Sequence, residues 1–216
     1  FRVLTNFFGA RRQNMTLGFA TDLSKVELSQ ALLGAYRDAR ANPLAHQVVE
    51  DGPVLENVLE GDDVDVLKFP TPLWHEADGG RYIGTGSFNV TREPDEGWVN
   101  VGTYRVMVQD AKTVGFYISP GKHGRLHRQK YMEKGEPMPV CVVVGADPLT
   151  FLMSSTEVPY GICEYDVVGA LRGRPEKVIL GKHTGLPFPA EAEIVLEGFC
   201  HPGNARPEGP FGEWTG

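Results

Sequence analysis

Cysteine is scarce in this chain: three residues in 216, at Cys141, Cys163 and Cys200, an odd number with no CxxC spacing. That pattern offers no disulfide framework, in a chain large enough to fold without one, and it points to a reducing, cytoplasmic setting. Long apolar runs are also missing. The longest apolar clusters, near residues 140–145 and 194–196, are strand-sized and fall well short of the ~18 residues a membrane span takes, so a soluble protein with no membrane partner is expected. Positive charge is in deficit, with 21 Lys and Arg against 28 Asp and Glu and a net charge of −7. A general electrostatic footprint for nucleic acid or an anionic membrane is thereby excluded, and any anionic ligand must be held by a local site. There is no internal repeat and no GxGxxG fingerprint. The sequence begins at Phe1 with neither an initiator Met nor a signal-peptide apolar region, and stops at Gly216 in a Gly-rich run. A piece of a longer polypeptide is the expectation.

What is present has globular proportions: 41% hydrophobic, 10% aromatic and 23% charged residues. A chain of this length buries about 70% of its unfolded surface and corresponds to about one and a half domains. Its 26 glycines and 16 prolines favour turns and strands over long helices. One amphipathic helix is clear: Ser24-Lys-Val-Glu27 reads as a capping box, Leu28, Leu32, Ala35 and Tyr36 follow at helical spacing, and Asn42-Pro43 ends the run. Strand-like segments follow at residues 64–69, 82–89, 98–109, 113–119, 140–144, 177–180 and 193–199. Two short helices interrupt them, one opened by Asp147-Pro148 and one over residues 163–171 ended by Gly173. The fold class is α+β: an α/β N-terminal part (residues 1–75), a boundary near residues 70–78, and a β-rich barrel or sandwich (residues 76–216).

Four stretches carry polar groups with chemical potential. Asn100 and Arg105 sit in an otherwise apolar strand, where an Arg must find an acid or a phosphate because a buried unpaired charge is costly. Positions five apart face opposite sides of a strand, so the two serve one site only if the chain bends, for which Gly102 is the obvious place. An edge-strand Arg with a surface partner fits the pattern equally. Lys122 and His123 follow the turn Ser119-Pro-Gly121 and open the most basic stretch of an acidic protein, with Arg125, His127, Arg128 and Lys130. Such a loop suits a phosphate, or is simply a solvated basic loop. Glu164 in a helical first turn is ordinarily a dipole choice, but with Asn100 and His123 it would complete an amide, imidazole and carboxylate set for Mn²⁺ or Mg²⁺. Finally, Glu208 and Glu213 lie on a Gly/Pro-rich loop with Arg206, Phe211 and Trp214. Rigid turns aim acids at one spot, as proton transfer requires, although a surface turn with solvated acids reads the same way. His46, His75, His183 and His201 have no partner spacing and read as structural, the cysteines as small packing residues, and Trp74 and Trp98 as core.

Together, in this order, these pieces resemble the UbiD-like decarboxylases, which use prenylated flavin mononucleotide. The carrying residues are Asn100-x4-Arg105, Pro120-Gly-Lys-His123, Ser154-Ser155 before Gly161-Ile-Cys-Glu164, Glu193-Ile-Val-Leu-Glu-Gly198, and Pro207-Glu208-Gly-Pro-Phe-Gly-Glu213; Asp78-Gly-Gly-Arg-Tyr82 looks like the entry to the flavin domain. The resemblance implies an FMN-binding split β-barrel after the α/β part. It also implies a divalent metal, Mn²⁺ or Mg²⁺, on Asn100, His123 and Glu164, with K⁺ nearby. Prenylated FMN would lie against Gly102, Thr103, Tyr104, Arg105, Lys122, His123, Ser154 and Ser155, and Arg105, Glu208 and Glu213 would form the catalytic network. Losing CO₂ from an sp² carbon leaves electrons that no side chain delocalises, so an electrophilic cofactor is needed. The implied reaction is a reversible, non-oxidative decarboxylation of an aromatic, heteroaromatic or α,β-unsaturated acid. In it the substrate bonds to the cofactor, CO₂ leaves and Glu213 supplies the proton. The implied partners are the acid, a flavin prenyltransferase as cofactor supplier, and further copies of the full-length protein in a homo-oligomer; the usual C-terminal domain is not represented. A flavin-binding subunit without catalysis and a split-barrel flavin oxidoreductase are the competing readings.

Overall fold

The computed structural model describes residues 11–84 and 86–212. In chain order the elements are α1 (Arg11–Thr16), α2 (Lys25–Ala41), β1 (Gln47–Val48), β2 (Tyr82–Gly84), β3 (Ser87–Arg92), β4 (Val99–Gly102), β5 (Arg105–Asp110), β6 (Thr113–Tyr117), α3 (His123–Lys134), β7 (Met138–Val144), α4 (Pro148–Ser154), α5 (Glu164–Arg172), β8 (Lys177–Leu180), β9 (Pro187–Pro189) and β10 (Ile194–Cys200). No described helix is long and apolar enough to cross a membrane.

Helix α2 forms as its sequence requires. Ser24 Oγ accepts from the Glu27 N–H at 3.3 Å, and Glu27 Oε2 accepts from the Ser24 N–H at 2.9 Å, closing the capping box and satisfying two donors that a bare helix end leaves orphaned. Its apolar stripe of Leu28, Leu32, Tyr36 and Ala39 packs on Leu149 and Met153 of α4 and on Val167 and Val168 of α5. Each aliphatic side chain fully buried there stabilises by about 1.5–3 kcal/mol. Behind α2, β1 pairs in parallel with β8, and β9 completes that small sheet. Residues 25–49 are thus built onto elements that lie beyond residue 148.

The central sheet has the order β10-β7-β3-β4, antiparallel throughout. Phe88, Val90, Val99, Val101, Cys141 and Val143 pack with Tyr165, Val178 and Phe188 in the larger core. Strand alternation turns Ser87, Asn89 and Thr91 of β3 the opposite way, yet these are also buried, because α3 packs across β3, β4 and β7. One face of β3 is therefore a buried polar row. A third sheet has the order β2-β5-β6. The fold is a mixed helix-and-sheet architecture, and no closed barrel is seen among the described residues.

Several expectations are corrected. The segment expected as one strand over residues 98–109 is two strands in different sheets, broken at Thr103 and Tyr104, where the Thr103 N–H donates to Ser154 O at 3.0 Å. The segment at residues 82–89 likewise divides between β2 and β3. Residues 64–69 are no strand: Val66–Lys68 form a 3₁₀ turn, because the Asp65 carboxylate accepts from the Leu67 N–H at 2.9 Å and draws the backbone out of an extended ladder. The basic stretch expected as a loop is α3. Its inward positions, Gly124 and His127, carry no apolar stripe for periodicity to detect; the αL glycine cap at Gly135 was the usable signal. Trp74, expected in the core, is 41% exposed.

Candidate functional site

The break between β4 and β5 shapes a cleft. Gly102 ends β4, and the chain folds so tightly that a Cβ on Gly102 would lie 2.5 Å from the Tyr104 ring. Only glycine permits this. The Tyr104 hydroxyl accepts from the Asn100 Nδ2–H and from the Gly124 N–H, both at 3.0 Å, tying the bend to the start of α3. The resulting cleft of about 70 Å³ is lined by Asn100, Gly102, Thr103 and Tyr104 from the β4 end, Lys122 and His123 at the start of α3, Ser154 and Ser155 at the end of α4, and Glu164 at the start of α5. Every residue singled out for cofactor or metal contact, Arg105 excepted, meets there.

Each element presents its group for a local reason. Glu164 is the first residue of α5 and is 4% exposed; its Oε2 accepts from the Val101 N–H at 2.6 Å. Burial pushes its pKa up to about 8 despite that bond, the behaviour of a carboxylate lacking a counter-charge. His123 opens α3 with its ring edge-on to Trp98 at 5.3 Å and Tyr160 at 5.8 Å, and burial lowers its pKa, favouring the neutral, ligating imidazole. One amide oxygen, one imidazole and one carboxylate around a cleft form a donor set for a hard to borderline divalent cation, which would supply the charge Glu164 lacks. The residues present therefore fit a metal. They also fit an anionic phosphate. The N-terminus of the 12-residue α3 has Lys122 as its N-cap with no capping side chain, and helix dipole and free N–H groups favour anions at such an end.

Arg105 lies at the start of β5, outside the cleft lining. Its Nε and Nη2 donate to Glu208 Oε1 and Oε2, each at 2.6 Å, a two-pronged pair of the strongest kind. The rings of Tyr117, Phe211 and Tyr82 surround the guanidinium at 4.8, 5.2 and 5.9 Å. The Glu208 loop is held against the β2 end of the sheet: Gly79 N–H donates to Pro210 O at 2.7 Å, and a Cβ on Gly79 would meet Gly209 O at 2.0 Å. Asp78 Oδ1 accepts from the Gly212 N–H at 2.8 Å. Glu213 and Trp214 fall outside the described residues.

Some site residues escape sequence reasoning. Tyr82 and Tyr117 cage Arg105 from separate strands, and Thr91 and His127 lie behind Asn100; no local motif links them. His46, read as structural, is tethered to α5: its Nδ1 lies 2.7 Å from Asp166 Oδ1, which also accepts from the His46 N–H at 2.9 Å. Cys163, whose thiol burial pushes well up, stands nearby.

His127 makes a prediction of its own. It is fully buried, and burial lowers its pKa to about 4 against the raising influence of Glu93, with His123 and Lys130 also lowering it. An unfolded His titrates near ~6.5, so between those values the unfolded chain binds the extra proton. Stability that is whole above that range is lost as pH falls toward 4, by up to about 3 kcal/mol. Urea midpoints from pH 7 to 4.5 are expected to fall less steeply in His127→Gln than in the wild type; parallel slopes would contradict the assignment.

Comparison with known proteins bears on this site. The UbiD family profile, described as a 3-octaprenyl-4-hydroxybenzoate carboxy-lyase Rift-related domain, matches residues 46–216. Pyrrole-2-carboxylic acid decarboxylase of Pseudomonas aeruginosa is 40% identical over 177 residues, 82% of this chain and 36% of that protein. Phenolic acid decarboxylase of a Streptomyces species is 36% identical over 182 residues, 82% and 38% of the two chains. The chain thus spans little more than a third of these curated relatives. Among solved structures, vanillic acid decarboxylase of Sedimentibacter hydroxybenzoicus in its closed form superposes with a TM-score of 0.88 at 30% identity, over 97% of this chain and 45% of that one. The UbiD-class enzyme HmfF of Pelotomaculum thermopropionicum, in complex with FMN, gives 0.86 at 27% identity, over 96% and 45%. An evolved dimeric form of HmfF, in complex with prenylated FMN, gives 0.86 at 27% identity, over 96% and 47%.

Proposed function

Because this chain belongs to the UbiD family, we propose that it forms the cofactor-holding part of a reversible, non-oxidative decarboxylase of aromatic, heteroaromatic or α,β-unsaturated carboxylic acids. The observation that carries the reading is the single cleft in which Asn100, His123 and Glu164 converge with Gly102, Lys122 and Ser154, one residue before the Arg105–Glu208 pair begins. The β-rich portion is read as a split-barrel flavin domain. The complete protein is read as a homo-oligomer supplied with cofactor by a flavin prenyltransferase.

In this reading Asn100, His123 and Glu164 hold Mn²⁺ or Mg²⁺, with K⁺ beside it, and the α3 N-terminus with Lys122 receives the cofactor phosphate. Prenylated FMN, when bound, supplies the electron sink that amino-acid side chains lack. Arg105 pairs with the substrate carboxylate and so orients the acid. Glu208, held against the guanidinium at two points, keeps the fork aimed. Glu213, five residues on in the sequence, is read as the group that supplies the proton replacing CO₂ on the substrate carbon. The rings of Tyr82, Tyr117 and Phe211 pack around the Arg105 guanidinium and restrict its movement.

The test is the absorption spectrum of the complete protein, co-expressed with a flavin prenyltransferase, and the mass of the small molecule it releases. Prenylated FMN with a stoichiometric divalent metal, and turnover of a pyrrole or phenolic acid, is the expected result. Unmodified flavin reduced by a nicotinamide would place the chain with the oxidoreductases instead, and a flavin-free protein would overturn the reading.

A further inference from the structure

An Asn side chain carries one oxygen that a cation accepts and one nitrogen that it repels, so a ligand role for Asn100 requires its amide to be held one way round. We propose that Thr91 and His127 are positioning residues that lock the Asn100 amide with Oδ1 toward the cleft, an inference that rests on the cation reading above. Thr91 and Asn100 are directly opposed across β3 and β4, and Asn100 Nδ2 lies 3.4 Å from Thr91 Oγ1 and 3.0 Å from the Tyr104 hydroxyl. Thr91 Oγ1 is in turn 2.9 Å from His127 Nδ1. All three side chains are buried.

Proton accounting gives the chain its direction. A threonine hydroxyl has one proton to donate and accepts with its lone pairs. If it donates to His127 Nδ1, its oxygen is left only to accept, and the amide group that faces it must be the NH₂. The Asn100 oxygen is then turned away from Thr91. This assignment needs the imidazole proton on Nε2, where the buried atom has no hydrogen-bond partner among the described residues. The perpendicular Trp98 ring, 4.7 Å away, is a surface to which an N–H edge is attracted and a bare lone pair is not. The opposite tautomer would let Thr91 donate to Asn100 and free the amide to turn over. A buried nitrogen without a partner is a cost that packing alone gives no reason to keep. In metal sites, hydrogen-bonded groups behind the ligands commonly fix how those ligands are oriented.

The decisive measurement is Mn²⁺ affinity, by titration calorimetry on the flavin-free complete protein, for Thr91→Val and Thr91→Ser in the natural background and beside Asn100→Asp. An aspartate has two equivalent oxygens and needs no orienting. Thr91→Val is expected to weaken Mn²⁺ by about 10–100-fold in the natural background, Thr91→Ser by less than about twofold, and Thr91→Val beside Asn100→Asp to cost less than about twofold. His127→Leu, which leaves Thr91 in place, is expected to lose affinity about threefold or more and to be rescued by the same Asn100→Asp background, so the idea stands or falls even if Thr91→Val does not fold. An equal loss in both backgrounds would mean that Thr91 serves packing only and would overturn the proposal, as would unchanged affinity in Thr91→Val. If Asn100→Ala binds Mn²⁺ like the wild type, or the wild type binds none, the cation reading itself falls and takes this inference with it.

Discussion

Glu208→Gln is expected to reduce decarboxylation by about 10²-fold, the scale of losing a positioning contact, while flavin and metal contents stay at wild-type levels. The carboxylate receives both prongs of the Arg105 fork at 2.6 Å. A glutamine offers one acceptor oxygen and turns an NH₂ toward a guanidinium that has only donors, so one prong is lost and becomes a repulsion. Arg105 then swings within its cage of Tyr82, Tyr117 and Phe211, and the substrate carboxylate loses its fixed reference. The pair is sequestered, with side-chain exposures of 22% and 12%, so a measurable fall in melting temperature accompanies the loss of rate. Steady-state kinetics on holoprotein with matched flavin absorbance separates the two effects. A variant with wild-type kcat and an unchanged melt would remove the Arg105–Glu208 pair from the mechanism.

The second large effect concerns metal and Glu164. A ligand that binds only the folded state at about 100 times its Kd stabilises by about 2.7 kcal/mol, and for a chain of this size each kcal/mol moves the melting temperature by about 2–4 °C. Saturating Mn²⁺ is accordingly expected to raise the melting temperature by about 5–10 °C, and Glu164→Gln to abolish the rise. Without metal the order reverses. The wild type must either bury a charged carboxylate or take up a proton to neutralise it, because burial pushes the Glu164 pKa up to about 8, whereas the amide needs neither. The variant is therefore expected to equal or exceed the wild type in chelator and to fall behind it in Mn²⁺. Thermal melts of both proteins, with chelator and with Mn²⁺, read this directly; a metal-dependent rise that survives in Glu164→Gln would exclude Glu164 as a ligand.

Legibility from sequence followed the range of the interactions. Helix α2 was readable because Ser24, Glu27 and Asn42 encode its ends within one turn. Strand β7 was readable because a short, continuous apolar run with a turn on either side packs in a sheet core. Helix α3 was not, because what it buries, Gly124 and His127, is small or polar and has no periodic apolar signature. The grouping of Asn100, Lys122, His123, Ser154 and Glu164 came from motif resemblance, since residues so far apart in sequence have no local physics that joins them. The Tyr82 and Tyr117 cage and the Thr91–His127 relay had neither a motif nor a pattern.

The sequence by itself determined the elements whose stabilising groups are near neighbours: a capped amphipathic helix, short strands between glycine and proline turns, and a short acidic-led helix at Glu164. It also carried, through the order of its motifs, the family to which the chain belongs. Only the tertiary structure decided that the strand from Trp98 to Gln109 divides between two sheets at Thr103 and Tyr104, that Gly102 yields its side-chain space to the Tyr104 ring, and that a polar face of β3 is buried beneath α3. The first and last of these depend on which surfaces meet across more than twenty residues of chain, as in the Thr103–Ser154 bond and the packing of α3 on β3. Burial and hydrogen-bond satisfaction act on the assembled surfaces, and no local propensity encodes the meeting.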